Sequence, residues 1–253
     1  MLDGHEFDLA ALARRFPTGD PRVVTTDEGT FIEAADLDAV DFTDAARLVE
    51  VAAGILARLN GWAMLDDAGY RPVKLRNRFH RDREATDTHI VLGDEARTRD
   101  EASVVVVGTA EARLGGLNAT ITITATASNG GVPGIPPQPE GPRQLARAAA
   151  HSDADDLLVL IGTAGALGWD PLWKALEIIK VAVGGKAALL ATGWITADDH
   201  EVFGYSANHP DASGTDARHA RRPPTTLPSR VMSIEEGQQF IRDLAHRWLD
   251  SLP

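Results

Sequence analysis

Residues 203–222, FGYSANHPDASGTDARHARR, gather Asn208, His209, Asp211, Asp216, Arg218, His219, Arg221 and Arg222 into one short segment rich in turn formers. Their types suit two kinds of chemistry. Arginine stays charged and grips phosphate through paired N–H donors. Histidine moves protons near neutral pH. Arg218 and His219 are therefore the pair to weigh for catalysis, and Asp211 or Asp216 could orient an imidazole. His209, Asp216, Arg221 and Arg222 are candidates for ligand contact. A structural account competes. Asn-His-Pro-Asp and Ser-Gly-Thr-Asp are turn and cap formers, and Arg218 has many acids to pair with in an acidic chain.

Other motifs are less complete. Gly162, Gly165 and Gly168 sit in LLVLIGTAGALG. A dinucleotide loop needs one residue between its first two glycines, and here there are two, so close helix packing explains them better. Gly184-Gly185-Lys186 lacks the leading glycine and the Ser/Thr of a phosphate loop. Asp198, Asp199, His200 and Glu201 are metal-ligand types, but consecutive helical residues point round the axis and do not converge. They read as an acidic helix start capped by Thr196 or Asp198. No metal or cofactor is implied. Arg76, Arg78, His80, Arg81 and Arg83 form a basic run that reads as the solvated face of a strand, with phosphate or acidic-partner binding as the alternative.

The elements that would position the segment carry clear signals. Residues 1–42 suggest a short helix and then strand or irregular structure. Apolar positions recur at helical spacing from Thr43 to Leu59, with Thr43 as cap and Asn60-Gly61 as stop. Stretches 73–80, 88–92, 103–107 and 119–128 have strand character and short connections, which predicts an antiparallel sheet covered by the 43–60 helix. Residues 129–142, NGGVPGIPPQPEGP, break regular structure. Beyond them, helix starts are expected at Ser152 and at Asp170-Pro171, with a stop at Gly184-Gly185. A final helix opens with the capping box Ser233–Glu236. The expectation is an α+β chain: a helix with antiparallel sheet over 1–128, a Gly/Pro-rich linker or loop over 129–142, and a helical region over 143–253.

Composition limits function. With 253 residues and a net charge of −12, a broad surface for nucleic-acid backbone or anionic lipid is disfavoured by long-range repulsion. There is no cysteine, so disulfides, thiolate zinc sites and cysteine nucleophiles are excluded. The acidic start lacks the features of a secretory signal, and no uninterrupted apolar run reaches the roughly 20 residues of a membrane span. A soluble cytoplasmic protein is expected, with no membrane partner.

The helical stretch holding Asn208, then Arg218-His219-Ala220, a loop and a long amphipathic helix resembles the HEPN-type helical domains. The likeness covers residues 151–253 only. Some members of that family are metal-independent ribonucleases of toxin or phage-defence systems. The resemblance implies Arg218 as phosphate binder, His219 as proton-transfer group and Asn208 in support, with RNA as substrate and a homodimer as a further possibility. In this chain Arg218 and His219 are adjacent, whereas the family separates them by more than a helical turn. Adjacent helical residues diverge by about 100°. The favoured reading is a binding or regulatory protein for an unknown protein or small-molecule partner, since no catalytic set is complete. The alternative is a HEPN-like ribonuclease or an inactive relative.

Overall fold

The computed structural model describes residues 1–76, 78–83, 86–92, 104–108, 140–219, 228 and 230–253, with backbone alone for 81–83, 86–92 and 104–108. The N-terminal part runs β1 (Leu2–Asp3), α1 (Glu6–Arg15), β2 (Arg22–Thr26), β3 (Gly29–Glu33), α2 (Ala35–Asp38), α3 (Ala45–Asp66), β4 (Lys74–Leu75), β5 (Arg78–Arg83), β6 (Thr86–Leu92) and β7 (Val104–Gly108). The helical part follows as α4 (Glu140–Ala149), α5 (Ser152–Thr163), α6 (Trp169–Ala182), α7 (Lys186–Ala191), α8 (Ala197–Asn208), α9 (Pro210–Ser213), a 3-10 turn (Gly214–Asp216) and α10 (Ile234–Ser251). The architecture is α+β.

Among the described residues all strand pairings are antiparallel. β1 pairs with β4, β2 with β3, and β5-β6-β7 form a three-stranded sheet with Phe79 opposite Ile90 and Ile90 opposite Val106. The alternating stretch 73–80 is divided between two sheets. Val73 is held outside any strand because Asn60 bonds both its N–H and its C=O. Two tight backbone bonds, Arg76 N to the Met1 carbonyl and Arg78 N to the Arg76 carbonyl, then turn the chain from β4 into β5. In the basic run, Arg76 pairs with Asp3 at 2.9 Å, and Arg78 and His80 lie 4.0 and 3.9 Å from Glu28. The 119–128 strand and nearly all of the 129–142 break lie outside the described residues. Helix α4 already begins at Glu140, with Pro142 in its first turn, where a missing N–H costs nothing.

Helix α3 differs from its expected bounds at both ends. Asp44, not Thr43, caps it by accepting from the Arg47 N–H at 3.0 Å, while Thr43 bonds Asp41. It also runs past Asn60-Gly61 to Asp66. Asn60 is buried and engaged in tertiary bonds: its Nδ2 donates to the Val73 carbonyl (2.9 Å), and its Oδ1 accepts from the Val73 N–H (3.1 Å) and the Tyr70 hydroxyl (2.7 Å). Gly61 lies against the backbone of α5, where a Cβ would fall 2.0 Å from the Leu158 carbonyl oxygen. At the same crossing, a Cβ on Gly162 would fall 1.8 Å from the Ala57 carbonyl oxygen. The two glycines let α3 and α5 touch through their backbones, the close-packing role expected for Gly162.

The core follows from that crossing. Leu12, Phe16, Leu59 and Trp62 share one continuous apolar cluster with Leu157, Leu158, Ile161, Leu172, Phe203, Leu244 and Trp248. Residues from either side of 129–142 thus bury one another. The first turns of α3 meet the sheet: Ala45, Leu48 and Ala52 pack with Phe79 in a smaller cluster. Among the described residues one helix, Ala45–Asp66, is long and apolar enough to cross a bilayer, and 67% of that window is buried by the rest of the chain.

Most C-terminal signals match. Ser233 and Glu236 cap α10 reciprocally, and its face Ile241, Leu244, Ala245, Trp248 and Leu249 is buried. Thr196 forms a capping box with Asp199 at α8. Helix α6 stops where Gly184 and Gly185 take φ of 97° and 104°, and the Gly185 N–H bonds the Lys180 carbonyl. Its start lies two residues earlier than expected: Gly168 is the cap and Asp170 sits inside the first turn. Ser152 opens α5 as its first residue, with His151 in the cap position.

Candidate functional site

The polar bend follows α8. Its last helical residue, Asn208, anchors itself by donating Nδ2 to the Gly204 carbonyl at 2.8 Å, which leaves Oδ1 to face outward. The chain then makes the short α9 and the 3-10 turn and folds back, so that the Arg218 N–H reaches the Ala207 carbonyl at 3.0 Å. Ser213 ties the loop by donating to the Ser206 carbonyl. Buried Ser206 in turn donates to the Val202 carbonyl at 2.8 Å and accepts from the Met232 N–H at 2.8 Å. Both strands of the bend are therefore fastened to the same turn of α8.

This closure brings Arg218 onto Asn208. The guanidinium donates Nη1–H to Asn208 Oδ1 at 2.9 Å and lies 3.4 Å, through Nε, from Asp170 Oδ1. Its central carbon stands 5.1 Å from the Trp173 ring centroid, a cation–π distance. Trp173 is itself stacked on buried Phe203 at 6.3 Å and 7°. Lys174 meets the other Asp170 oxygen at 2.7 Å. Lys174 does most to hold the Asp170 carboxyl below its usual range; burial opposes it, and Arg218 adds smaller lowering effects. The Arg218 side chain is 21% exposed.

The other candidates are placed differently. His209 is buried, stacks on Tyr205 at 4.5 Å and 16°, and accepts the Asp211 N–H on Nδ1 at 3.2 Å, so it caps α9. Asp216 and His219 are exposed. Arg221 and Arg222 lie outside the described residues. The bend thus joins Asn208 to Arg218, while His219 faces solvent and His209 serves the fold. Among the described residues no group of three or more His, Asp or Glu is placed to hold a metal ion.

Sequence reasoning missed Asp170 and Trp173, the two α6 residues that receive Arg218. Asp170 is 48 positions away in the chain. The available signal was their helical spacing: Asp170, Trp173 and Lys174 sit three and four residues apart, on one stripe of α6 beside the inward-facing Leu172 and Leu176.

No family model, curated protein or solved structure matches the chain.

His200, eight residues before Asn208 on α8, adds a pH dependence. Its Nε2 is buried with no hydrogen-bond partner among the described residues. Burial first, then Lys186 and Lys180, lower its pKa from the ordinary 6.5. The folded state therefore binds this proton less readily than the unfolded state. Its contribution to stability is present above pH 6.5 and declines as pH falls below that value. Urea midpoints at pH 5 and pH 7.5 should differ less in His200→Phe than in the unaltered protein. An equal or larger difference in the variant would count against this assignment.

Proposed function

We propose that the chain is a non-catalytic intracellular binding or regulatory protein acting in the cytoplasm. The observation supporting this is the engagement of Arg218 by Asn208, Asp170 and Trp173. A phosphate-gripping arginine needs its fork directed at the ligand. Here part of that fork already serves an amide and a carboxylate, and its central carbon stands over the Trp173 ring. His219 stands exposed, without a described group to orient it. General acid–base catalysis needs the proton-transfer group within hydrogen-bond reach of the reacting atom. The absence of cysteine is in keeping with a reducing interior.

One observation favours a second reading, the HEPN-like ribonuclease. The 2.9 Å bond from Arg218 to Asn208 joins two of the three residues that the resemblance implies. In that mechanism His219 would activate a ribose 2′-hydroxyl or protonate the leaving oxygen, while Arg218 held the phosphate.

A single assay separates the two. Single-stranded RNA is incubated with the protein in EDTA, comparing unaltered chain with His219→Ala and Arg218→Ala. The expected result is intact RNA in every lane. Cleavage by the unaltered chain that disappears in His219→Ala would overturn the non-catalytic reading and establish the second.

A further inference from the structure

A cleft of about 430 Å³ lies where the loop before β2 meets α3, α4 and α5. That volume is within the range of pockets that hold small ligands, roughly 300–1,000 Å³. Hydrocarbon forms much of its wall: Ile55 and Leu145 are buried there, with Pro21 beside them. None of its lining belongs to the bend at 208–219.

The charges in the cleft do not cancel. Arg58 of α3 and Asp155 of α5 form a two-point pair, with Nη2 2.7 Å from Oδ2 and Nε bonded to Oδ1. Hydrogen bonding to Asp155 raises the Arg58 pKa first, and the Asp36 charge adds a smaller raise. The Arg58–Asp155 pair is electrically neutral as a unit. Asp20 and Asp36 remain, and no cation other than Arg58 lines the cleft among the described residues. Asp20 uses Oδ1 to accept the Ala35 N–H at 3.0 Å, and Asp36 is exposed at the rim. The result is an apolar hollow carrying two surplus negative charges, on a chain of net charge −12.

We propose that this cleft binds a small organic cation, an amine or guanidine carried on a short hydrocarbon or aromatic body. Each part of such a ligand has a counterpart. Its body covers Pro21, Ala146 and Ala149, the apolar lining residues still open to solvent, and removes their surface from water. Its charge meets Asp36 and Asp20, both exposed at the mouth, where the attraction is modest and screened by salt. The acidic field of the whole chain raises the local concentration of cations and repels anions of the same shape. Nucleic acids and anionic lipids carry the wrong sign for the cleft. This inference goes beyond the proposed function and does not depend on the state of the bend. RNA cleavage and amine binding are separate measurements, so either reading can fail alone.

The test uses the full chain, with phenethylamine and agmatine as probes and phenylacetate as the anion matched in shape. Binding is followed by isothermal titration and ligand-detected NMR. At least one amine should bind saturably and phenylacetate at least about tenfold more weakly. Asp36→Asn should weaken amine binding about two- to fivefold, because one exposed rim charge is removed with its shape kept. Ala149→Trp, at an exposed position of α4 lining the cleft, should fill the mouth and remove binding. Circular dichroism checks that both surface variants remain folded. The proposal is overturned if neither amine saturates up to about 10 mM, if phenylacetate binds as well as the amines, or if both folded variants bind unchanged.

Discussion

Gly162→Ala is expected to lower the urea midpoint of the chain sharply. Locally the change is favourable, since alanine is better than glycine in a helix interior by about 1 kcal/mol. The tertiary cost exceeds that gain. The added Cβ would stand 1.8 Å from the Ala57 carbonyl oxygen and 2.7 Å from the Gly61 nitrogen. Atoms in contact sit roughly 3.5–4.0 Å apart. Both neighbours are backbone, so no side chain can swing aside, and α3 and α5 must separate along their whole contact. That parting exposes Leu158, Ile161 and Leu59, each fully buried now. A loss above about 4 kcal/mol follows, a large share of the stability of a typical domain. Far-ultraviolet circular dichroism and a urea titration measure it. Gly54→Ala is the internal control on the same helix. Its Cβ meets only the Arg58 side chain, 3.3 Å from Nη1, which needs to give by a few tenths of an ångström within its pair with Asp155, so the effect should be small. If the two alanine variants unfold at the same urea concentration, the glycine crossing does not hold the fold.

Asn60→Leu is expected to cost roughly 3–5 kcal/mol, although leucine suits a buried helix position. The loss is of hydrogen bonds rather than of volume. Asn60 satisfies the N–H and the C=O of Val73 and accepts the Tyr70 hydroxyl, and all of these groups are buried. Each donor or acceptor left without a partner costs about 1–3 kcal/mol. Asn60→Asp should be nearly as damaging, because a carboxylate presents an acceptor to the Val73 carbonyl where a donor is needed. Tyr70→Phe removes one bond and should cost only about 1 kcal/mol. Burial already pushes the Tyr70 phenol well above its ordinary value, as expected for a hydroxyl held away from water. Urea denaturation of the three variants gives the ranking. A Tyr70→Phe loss equal to that of Asn60→Leu would show that the hydroxyl, and not the clasp on Val73, carries the effect.

These two predictions concern the residues at which local signals and tertiary structure part company. Asn60-Gly61 has the composition of a helix stop. In the folded chain the asparagine clasps the returning segment 70–73 and the glycine admits α5, so the helix continues for another turn and a half to Asp66. A left-handed stop is worth about a kilocalorie, whereas the buried clasp and the backbone crossing are worth several. In the site, Asn208 and Arg218 are ten positions apart, close enough for a turn to bring them together. Asp170 and Trp173 were not legible as their partners, because nothing in a linear pattern says which stripe of α6 the bend will meet. His209 looked like a ligand-contacting imidazole but is a buried cap, a role set by its stack on Tyr205.

What the amino-acid order determined by itself is the set of features that act within a turn or two. The capping boxes at Thr196 and Ser233, the glycine stop at Gly184-Gly185, the buried face of α10 and the antiparallel character of the strands all arise from neighbours a few residues apart. Only the tertiary structure decided that Leu12, Trp62 and Trp248 share one core, that α3 outruns its local stop, and that Arg218 lies over Trp173. Those outcomes depend on which surfaces meet. The burial gained when distant faces pack outweighs local preferences of about a kilocalorie per residue.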